Sequence, residues 1–297
     1  MDLHDLNVFA TAARLGSVTK AAKSLATVQS NVTARIRLLE RELAVQLFDR
    51  THRGITLTPK GQQLLPYAHE MLALAENARA AITKPTDVRG SLRIGALQST
   101  ASARLPEVLK TYANKHRHVD IDVETGTTDE LVEGVLESRL DGAFIASTGE
   151  RPELDAVASF VEELVIISPA SYRSIREYLQ NSPLPKILVF GSGCHYRQRL
   201  EQYLIGEGAG VVNHMVFGTI DGIVGCVAAG LGITMLPRSV VERSARRKTV
   251  RVHPLPRAHG RVETRFVTHR ARVRSVALER WIDVVASYQP TARRATT

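Results

Sequence analysis

Cysteine is nearly absent from this chain: Cys194 and Cys226 are its only thiols in 297 residues. Two cysteines make no disulfide framework, which excludes a small cross-linked extracellular scaffold and fits a reducing compartment. Uninterrupted apolar sequence is equally scarce. The longest uncharged run, Gly222 to Pro237, is broken by glycines. It falls short of the roughly 20 residues that span a bilayer, and reads as a buried helix, turn and strand. The first residues carry Asp2 and Asp5 in an amphipathic pattern and lack the basic segment and apolar core of a secretory leader. Metal-binding spacings such as CxxC and HExxH do not occur and the ten histidines are scattered, so neither a metal nor a cofactor is expected. There is no repeat of fixed period and no low-complexity segment. The expectation is a cytoplasmic protein with no membrane association.

What the chain does have is length and unevenly placed charge. Its 297 residues suit two or three compact units, each able to bury a core. A net charge of +9 points to an anionic partner. Residues 1–90 carry +4, residues 91–242 carry −6 and residues 243–297 carry +11. The basic C-terminal stretch has two readings: a solvated face ending in a frayed tail with Arg293 and Arg294, or an added contact to nucleic acid.

Leu3, Leu6, Phe9, Ala10 and Ala13 recur at helical spacing, and Gly16 stands where a left-handed residue ends a helix. Ser17 can cap a second, short helix from Val18 to Leu25, whose Ala21 and Ala22 let another helix cross closely. A third runs from about Val28 to Leu43 on the spacing of Val32, Ile36, Leu39 and Leu43. Two short helices so placed predict a helix-turn-helix over about residues 18–37. Leu47, Phe48, the polar turn Thr51-His52-Arg53-Gly54, then Ile55 and Leu57 predict two strands joined by a wing tip. Thr58 before Pro59 opens the next helix, which runs to about Ile82. There Leu64, Ala68, Met71, Ala75, Ala78 and Ile82 form an apolar seam of coiled-coil period that wants a partner helix. Pro66 is expected to kink it, and Lys84-Pro85-Thr86-Asp87 reads as a hinge.

From Ser91 onward, strand and helix patterns alternate, which predicts an α/β fold with a largely parallel sheet. One set covers strands 92–96, 121–124 and 142–146 with helices 104–116 and 128–137. A second covers strands 164–167, 187–190, 211–217 and 233–236 with helices 195–205 and 220–229. The last strand, 262–268, and last helix, 275–288, are expected to return to the first set. The predicted domains are thus 1–58 for the winged helix-turn-helix, 59–89 for the linker helix and hinge, and 90–290 for the α/β part. That part divides into subdomain I at 91–161 with 266–290 and subdomain II at 162–265, and a tail at 291–297 is expected to be disordered.

The third helix turns Gln29, Ser30, Thr33, Arg37 and Arg41 away from its apolar stripe, with Asn31 and Arg35 alongside. These are base-edge and phosphate chemistries: Gln and Asn pair with adenine, Arg with guanine, and Ser or Thr with bases or phosphate. The first turns of a recognition helix lie deepest in the major groove. Base reading is therefore assigned to Gln29, Ser30, Asn31 and Thr33, with Arg35 a further candidate. Phosphate anchoring is assigned to Arg37, Arg50 and the wing's Arg53.

These residues carry a resemblance. Leu6 and Phe9, Gly16-Ser17-Val18-Thr19 with Ala21-Ala22, Gln29-Ser30 with Val32-Thr33, Leu39-Glu40, Leu43, Gln46-Leu47-Phe48-Asp49-Arg50 and Leu57-Thr58-Pro59-Lys60-Gly61 together resemble the LysR-type transcriptional regulators. The motifs cover residues 1 to about 65, and the α/β remainder agrees in pattern. The resemblance implies a winged helix-turn-helix, a long linker helix, and a two-subdomain effector domain like type II periplasmic binding proteins, usually assembled as a tetramer. One departure is Ala34, where many members place a basic or polar residue.

In open α/β sheets, ligands bind beyond the carboxyl ends of strands, where helix N-termini offer amides to anions. That rule selects the loops 97–100, 126–128, 191–197 and 218–219, and with them Gln98, Ser99, Thr100, Thr127, Cys194, His195, Arg197 and Thr219 as effector contacts. Cys194-His195-Tyr196-Arg197 has two readings, a ligand contact with a redox-sensitive thiol or an ordinary helix opening. Catalysis by Cys194 with His195 is disfavoured, because adjacent helical residues point about 100° apart. The sequence thus predicts a regulator, not an enzyme. Its expected partners are an inverted-repeat DNA operator, a second copy through the linker helix, a small organic effector and RNA polymerase. The rival is a DNA-binding architectural protein or constitutive repressor with no effector.

Overall fold

The computed structural model describes residues 1–51, 54–83, 88–146, 149, 151–182 and 184–288, without the side chains of Arg50, Thr51, Ala80, Ala81 and Thr83. The wing-tip residues His52 and Arg53, the hinge at 84–87 and the tail at 291–297 lie outside the described residues. The chain divides into two compact units.

Local signals set the first unit. Asp2 accepts a hydrogen bond from the Asp5 amide and opens α1 (Leu3–Leu15), which ends at Gly16 in the left-handed region. Ser17 caps α2 (Val18–Ser24) in the same way through the Lys20 amide. α3 (Gln29–Leu43) follows, with Val28 at its N-cap and no side chain closing its first turn. Leu6, Phe9, Ala21, Ala22, Val32, Ile36 and Leu39 are buried together, and Phe9 meets Phe48 with ring centres 5.4 Å apart.

Strands β1 (Phe48–Thr51) and β2 (Gly54–Leu57) pair antiparallel. Gly54 has φ of +134°, and a Cβ there would meet the Gly16 carbonyl oxygen at 2.3 Å. That oxygen accepts the Ile55 amide, which ties the wing to the end of α1. Gly61 is held bare for a similar reason, since its Cβ would lie 2.2 Å from the Leu47 carbonyl oxygen. The Thr58 hydroxyl accepts the Gly61 amide and donates to the Gln46 carbonyl, opening α4 (Pro59–Thr83) as predicted. Pro66 sits inside α4 without ending it.

The α4 seam differs from the predicted one. Ala68 is buried and Leu64, Leu65 and Leu72 pack against the helix-turn-helix core, while Tyr67, Met71, Leu74, Ala78 and Ile82 are exposed. The period persists, but its first turns are used internally, so the uncovered stripe is rotated toward Tyr67 and Leu74.

In the second unit, β3 (Arg89–Leu97) lies between β4 (His118–Gly126) and β5 (Gly142–Ala146), parallel to both. Helices α5 (Gln98–Ala103), α6 (Leu105–Lys115) and α7 (Thr128–Leu136) connect them. β6 (Leu154–Pro169) is far longer than predicted and serves two sheets. Its first part pairs with β11 (Arg261–His269), which also pairs with β5, and its second part with β9 (Thr234–Pro237) and β10 (Val250–Pro254). All four of these pairings are antiparallel, which corrects the largely parallel expectation: the long strands that carry the chain between subdomains run against their neighbours. β7 (Lys186–Val189) and β8 (Asn213–Val216) pair in parallel.

Around the second sheet lie α8 (Ile175–Gln180), α9 (His195–Gly206), α10 (Ile220–Ala228), α11 (Arg238–Arg243) and the short α12 (Arg257–Gly260). The last helix, α13 (Val276–Ser287), returns to the first set as expected. Its Trp281 is fully buried beside Tyr112, Phe144 and Phe266. No described helix is long and apolar enough to cross a membrane.

Candidate functional site

Two sites follow from this architecture, one on each unit. On α3, Gln29 and Ser30 are exposed and Asn31 and Thr33 half-buried. Free backbone amides at an uncapped helix start suit an anion. Asn31 donates to the Thr27 hydroxyl at 2.9 Å, which holds its amide in one orientation. Thr33 and Arg37 face a depression shared with Val18, Gln46, Asp49 and Ile55 between α3 and the strand pair. Exposed Ala34 lines a neighbouring hollow with Arg37 and Arg41. Arg35 behaves differently from its neighbours: its guanidinium turns to Asp5 at 3.1 Å and Asp2 at 3.6 Å on α1. Glu40 accepts the Leu47 and Phe48 amides and so fixes β1 against α3. Arg50 lies on β1 with its side chain undescribed, and Arg53 lies outside the described residues.

The second site is a cavity of about 220 Å³ at the carboxyl ends of β3, β4, β5, β7 and β8. That volume is below the ~300–1,000 Å³ of pockets for drug-sized ligands. Leu97, Ala146, Phe190 and Phe217 give it an apolar wall, and Gln98, Ser99, Thr127, Thr128, Glu130, Cys194, His195 and Tyr196 its polar groups. Gln98 donates to the Thr125 hydroxyl and the Gly218 carbonyl, both at 3.3 Å, and so joins loops from the two sheets. The hydroxyls of Ser99 and Tyr196 lie 3.2 Å apart. Thr127 and Glu130 form a reciprocal cap on α7: Glu130 accepts the Thr127 amide and hydroxyl, and the Thr127 hydroxyl accepts the Glu130 amide.

Electrostatically the lining is nearly neutral. Burial, and then Arg199, hold the His195 imidazole below its usual range. Its Nε2 accepts Arg199 Nε–H at 3.0 Å, which places the ring proton on Nδ1. That buried Nδ1 has no partner, nor has the Thr128 hydroxyl. Burial pushes the Cys194 and Tyr196 groups up, against smaller opposing effects that include backbone amides at Cys194 and the Ser99 hydroxyl at Tyr196. Cys194 is therefore a thiol, contrary to the stabilised thiolate that its place at a helix start suggested.

Comparison with known proteins decides the family. Residues 3–62 match the description "bacterial regulatory helix-turn-helix protein, lysR family", and residues 85–289 match "LysR substrate binding domain". The chain belongs to the LysR family of transcriptional regulators. Among LysR-type relatives, it is 41% identical over 283 residues to the uncharacterized HTH-type transcriptional regulator YusT of Bacillus subtilis (strain 168), covering 95% of each chain. It is 36% identical over 294 residues to the HTH-type transcriptional regulator SoxR of an Arthrobacter species, covering 99% of this chain and 100% of that one. In fold it resembles a full-length OxyR variant of Pseudomonas aeruginosa, with a TM-score of 0.73 at 20% identity over 98% and 99% of the two chains. It also resembles full-length CbnR, solved with its target DNA, with a TM-score of 0.58 at 20% identity over 96% and 99%. LysR proteins are DNA-binding regulators and not enzymes.

Of the LysR-type effector contacts expected from sequence, Gln98, Ser99, Thr127, Cys194 and His195 meet at the cavity. Thr100 is buried behind it. Arg197 bonds Glu201 at 2.9 Å, and Thr219 caps α10 through the Gly222 amide. The cavity adds Thr125, Thr128, Glu130, Phe190, Tyr196 and Phe217. Of these, Glu130 carried a readable signal, the capping-box spacing from Thr127. Phe190 and Phe217 ended predicted strands, and nothing local marked them as cavity walls.

Proposed function

We propose that this LysR-type regulator reads an inverted-repeat operator with Gln29, Ser30, Asn31 and Thr33, anchors on phosphates through Arg37, Arg50 and Arg53, and responds to a small molecule in the α/β cavity. The carrying observation is the cavity: a small apolar wall facing a few polar groups, two of them unpartnered, is the composition of a ligand site. The uncovered α4 stripe supports pairing of two copies, which would present two recognition helices to the two halves of such an operator. Assembly beyond the pair, RNA polymerase contact and a cytoplasmic setting belong to the same reading. Of the expected contacts, Thr100, Arg197 and Thr219 take structural roles here, as does Arg35.

Footprinting upstream of the protein's own gene, with and without members of a panel of organic acids, amines and amino acids, tests this reading. A ligand that raises the melting temperature and alters the footprint supports it. Specific operator protection with no response to any member of the panel favours a constitutive DNA-binding protein.

A further inference from the structure

The cavity's charge pattern says more about its occupant than its position does. Glu130 is the one lining side chain charged at neutral pH among the described residues. No Lys or Arg joins it there, and Arg197, the nearest along the chain, is paired with Glu201. A dicarboxylate placed here would face Glu130 with no cationic side chain to offset it, and like charges held close are costly. Two other lining groups have the reverse character. His195 presents a fixed Nδ1–H with no acceptor, and Thr128, 1% exposed, presents a hydroxyl with no partner. Both stand in the first turns of helices, α9 and α7, whose dipoles favour negative charge. The site therefore asks for an anionic acceptor beside His195 and Thr128 and a cation beside Glu130.

Resting on the reading of this cavity as the effector site, we propose that its ligand class is a zwitterionic amino acid with an apolar side chain. The carboxylate takes the His195 N–H and the Thr128 hydroxyl, and the ammonium is set against the Glu130 carboxylate. The side chain lies along Phe190, Phe217 and Leu97. Thr127 holds Glu130 in place through two hydrogen bonds at 2.8 and 2.9 Å, so the counter-charge is positioned before a ligand arrives.

Titration calorimetry on the full-length protein tests this with L-leucine, L-methionine and L-phenylalanine. The comparison compounds are 4-methylpentanoate and 3-phenylpropanoate, which lack the amine, 3-methylbutylamine and 2-phenylethylamine, which lack the carboxylate, and succinate. At least one amino acid should bind roughly tenfold or more tightly than both of its truncated analogues. Glu130→Gln, which keeps the shape and an acceptor for Thr127, should remove the advantage over the amine-free acid. His195→Phe should weaken the acids and leave the amines unchanged, and both variants should melt within a few degrees of the parent. Succinate or an amine-free acid binding as tightly as its amino acid overturns the ligand class while leaving the cavity an effector site. Silence from all three amino acids also overturns the class. Amino-acid binding that survives Ala146→Trp, which fills the cavity, would instead place the ligand elsewhere and overturn the reading of the cavity itself.

Discussion

Arg35 reaches from the middle of the recognition helix to Asp5 on the first helix, with its Nη1 3.1 Å from the carboxylate Oδ1. Asp5 is only 3% exposed, so its charge depends on that guanidinium. Arg35→Ala should lower the stability of the DNA-binding unit by about 1–3 kcal/mol, since it strands a buried carboxylate. Arg35→Ala combined with Asp5→Asn should recover much of that stability, which chemical denaturation of the four-member cycle would register. If Arg35→Ala melts normally and changes base preference instead, Arg35 is a base reader after all.

Gln29 and Arg37 should separate base reading from phosphate anchoring. Gln29 is exposed at the first position of α3, where a side chain enters the groove deepest. Gln29→Ala should shift base preference at one operator position by about 1–3 kcal/mol and leave random DNA unaffected. Arg37→Ala should weaken specific and random DNA alike and reduce the salt slope by about 0.9 for each phosphate the variant no longer neutralises. Fluorescence anisotropy on both DNAs across a salt series reads the difference, and parallel weakening in the two variants would refute the division.

The uncovered face of α4 makes a separate claim. Leu74 is 58% and Ile82 84% exposed in the single chain, and burying such a side chain contributes about 1.5–3 kcal/mol. Leu74→Arg should shift the protein toward monomer in light scattering and weaken operator binding more than half-site binding, because the second half-site is no longer reached through a tether. A variant that stays fully dimeric would place the pairing surface elsewhere.

What sequence could reveal followed how local the signal was. Caps, apolar spacings and turns are encoded within a few residues, so α1 to α4 and the wing strands were readable. β10 was not, because Arg251, His253 and Pro254 interrupt any apolar pattern and it is held by backbone pairing to β6. The first part of β6 was hidden by Glu162, whose buried charge is acceptable only because Arg104 bonds it at two points, both 3.1 Å. The same limit explains the basic C-terminal stretch: Arg243 pairs with Glu107 and Arg270 with Asp155, distant in sequence. Arg35 fails in this way too, since its helical position says nothing of an aspartate thirty residues earlier.

Ala44 offers a stability test of the fold itself. It closes α3 with φ of +53°, a left-handed conformation that costs a non-glycine residue roughly 1–2 kcal/mol. Glycine removes that strain but gives up more chain entropy on folding, about 0.5–1 kcal/mol. Ala44→Gly should therefore stabilise the DNA-binding unit by about 0.5 kcal/mol or more, measured as a higher denaturant midpoint with unchanged slope. A lower midpoint would show that the Ala44 methyl packs in a way worth more than the strain.

Acid should loosen the α/β unit through two imidazoles. His195 and His253 are both held below the ordinary range, first by burial and then by Arg199 and Arg251 respectively. Between the unfolded value near 6.5 and the lower folded values, the unfolded chain binds more protons, so stability rises with pH there. The contribution is present above about pH 6.5 and is lost as pH falls through the folded values. For His195 the structural reason is specific: its Nε2 accepts the Arg199 N–H, and protonation turns that acceptor into a donor facing a cation. His253 similarly shares its Nε2 with the buried Ser168 hydroxyl at 2.8 Å. Denaturant melts at pH 7.5, 6.0 and 5.0 should show an acid destabilisation of the parent that His195→Gln and His253→Gln each reduce and the double variant reduces further. An acid limb that is the same in all four proteins would move the cause to the carboxylates, and His195 would then be free to enter the cavity protonated.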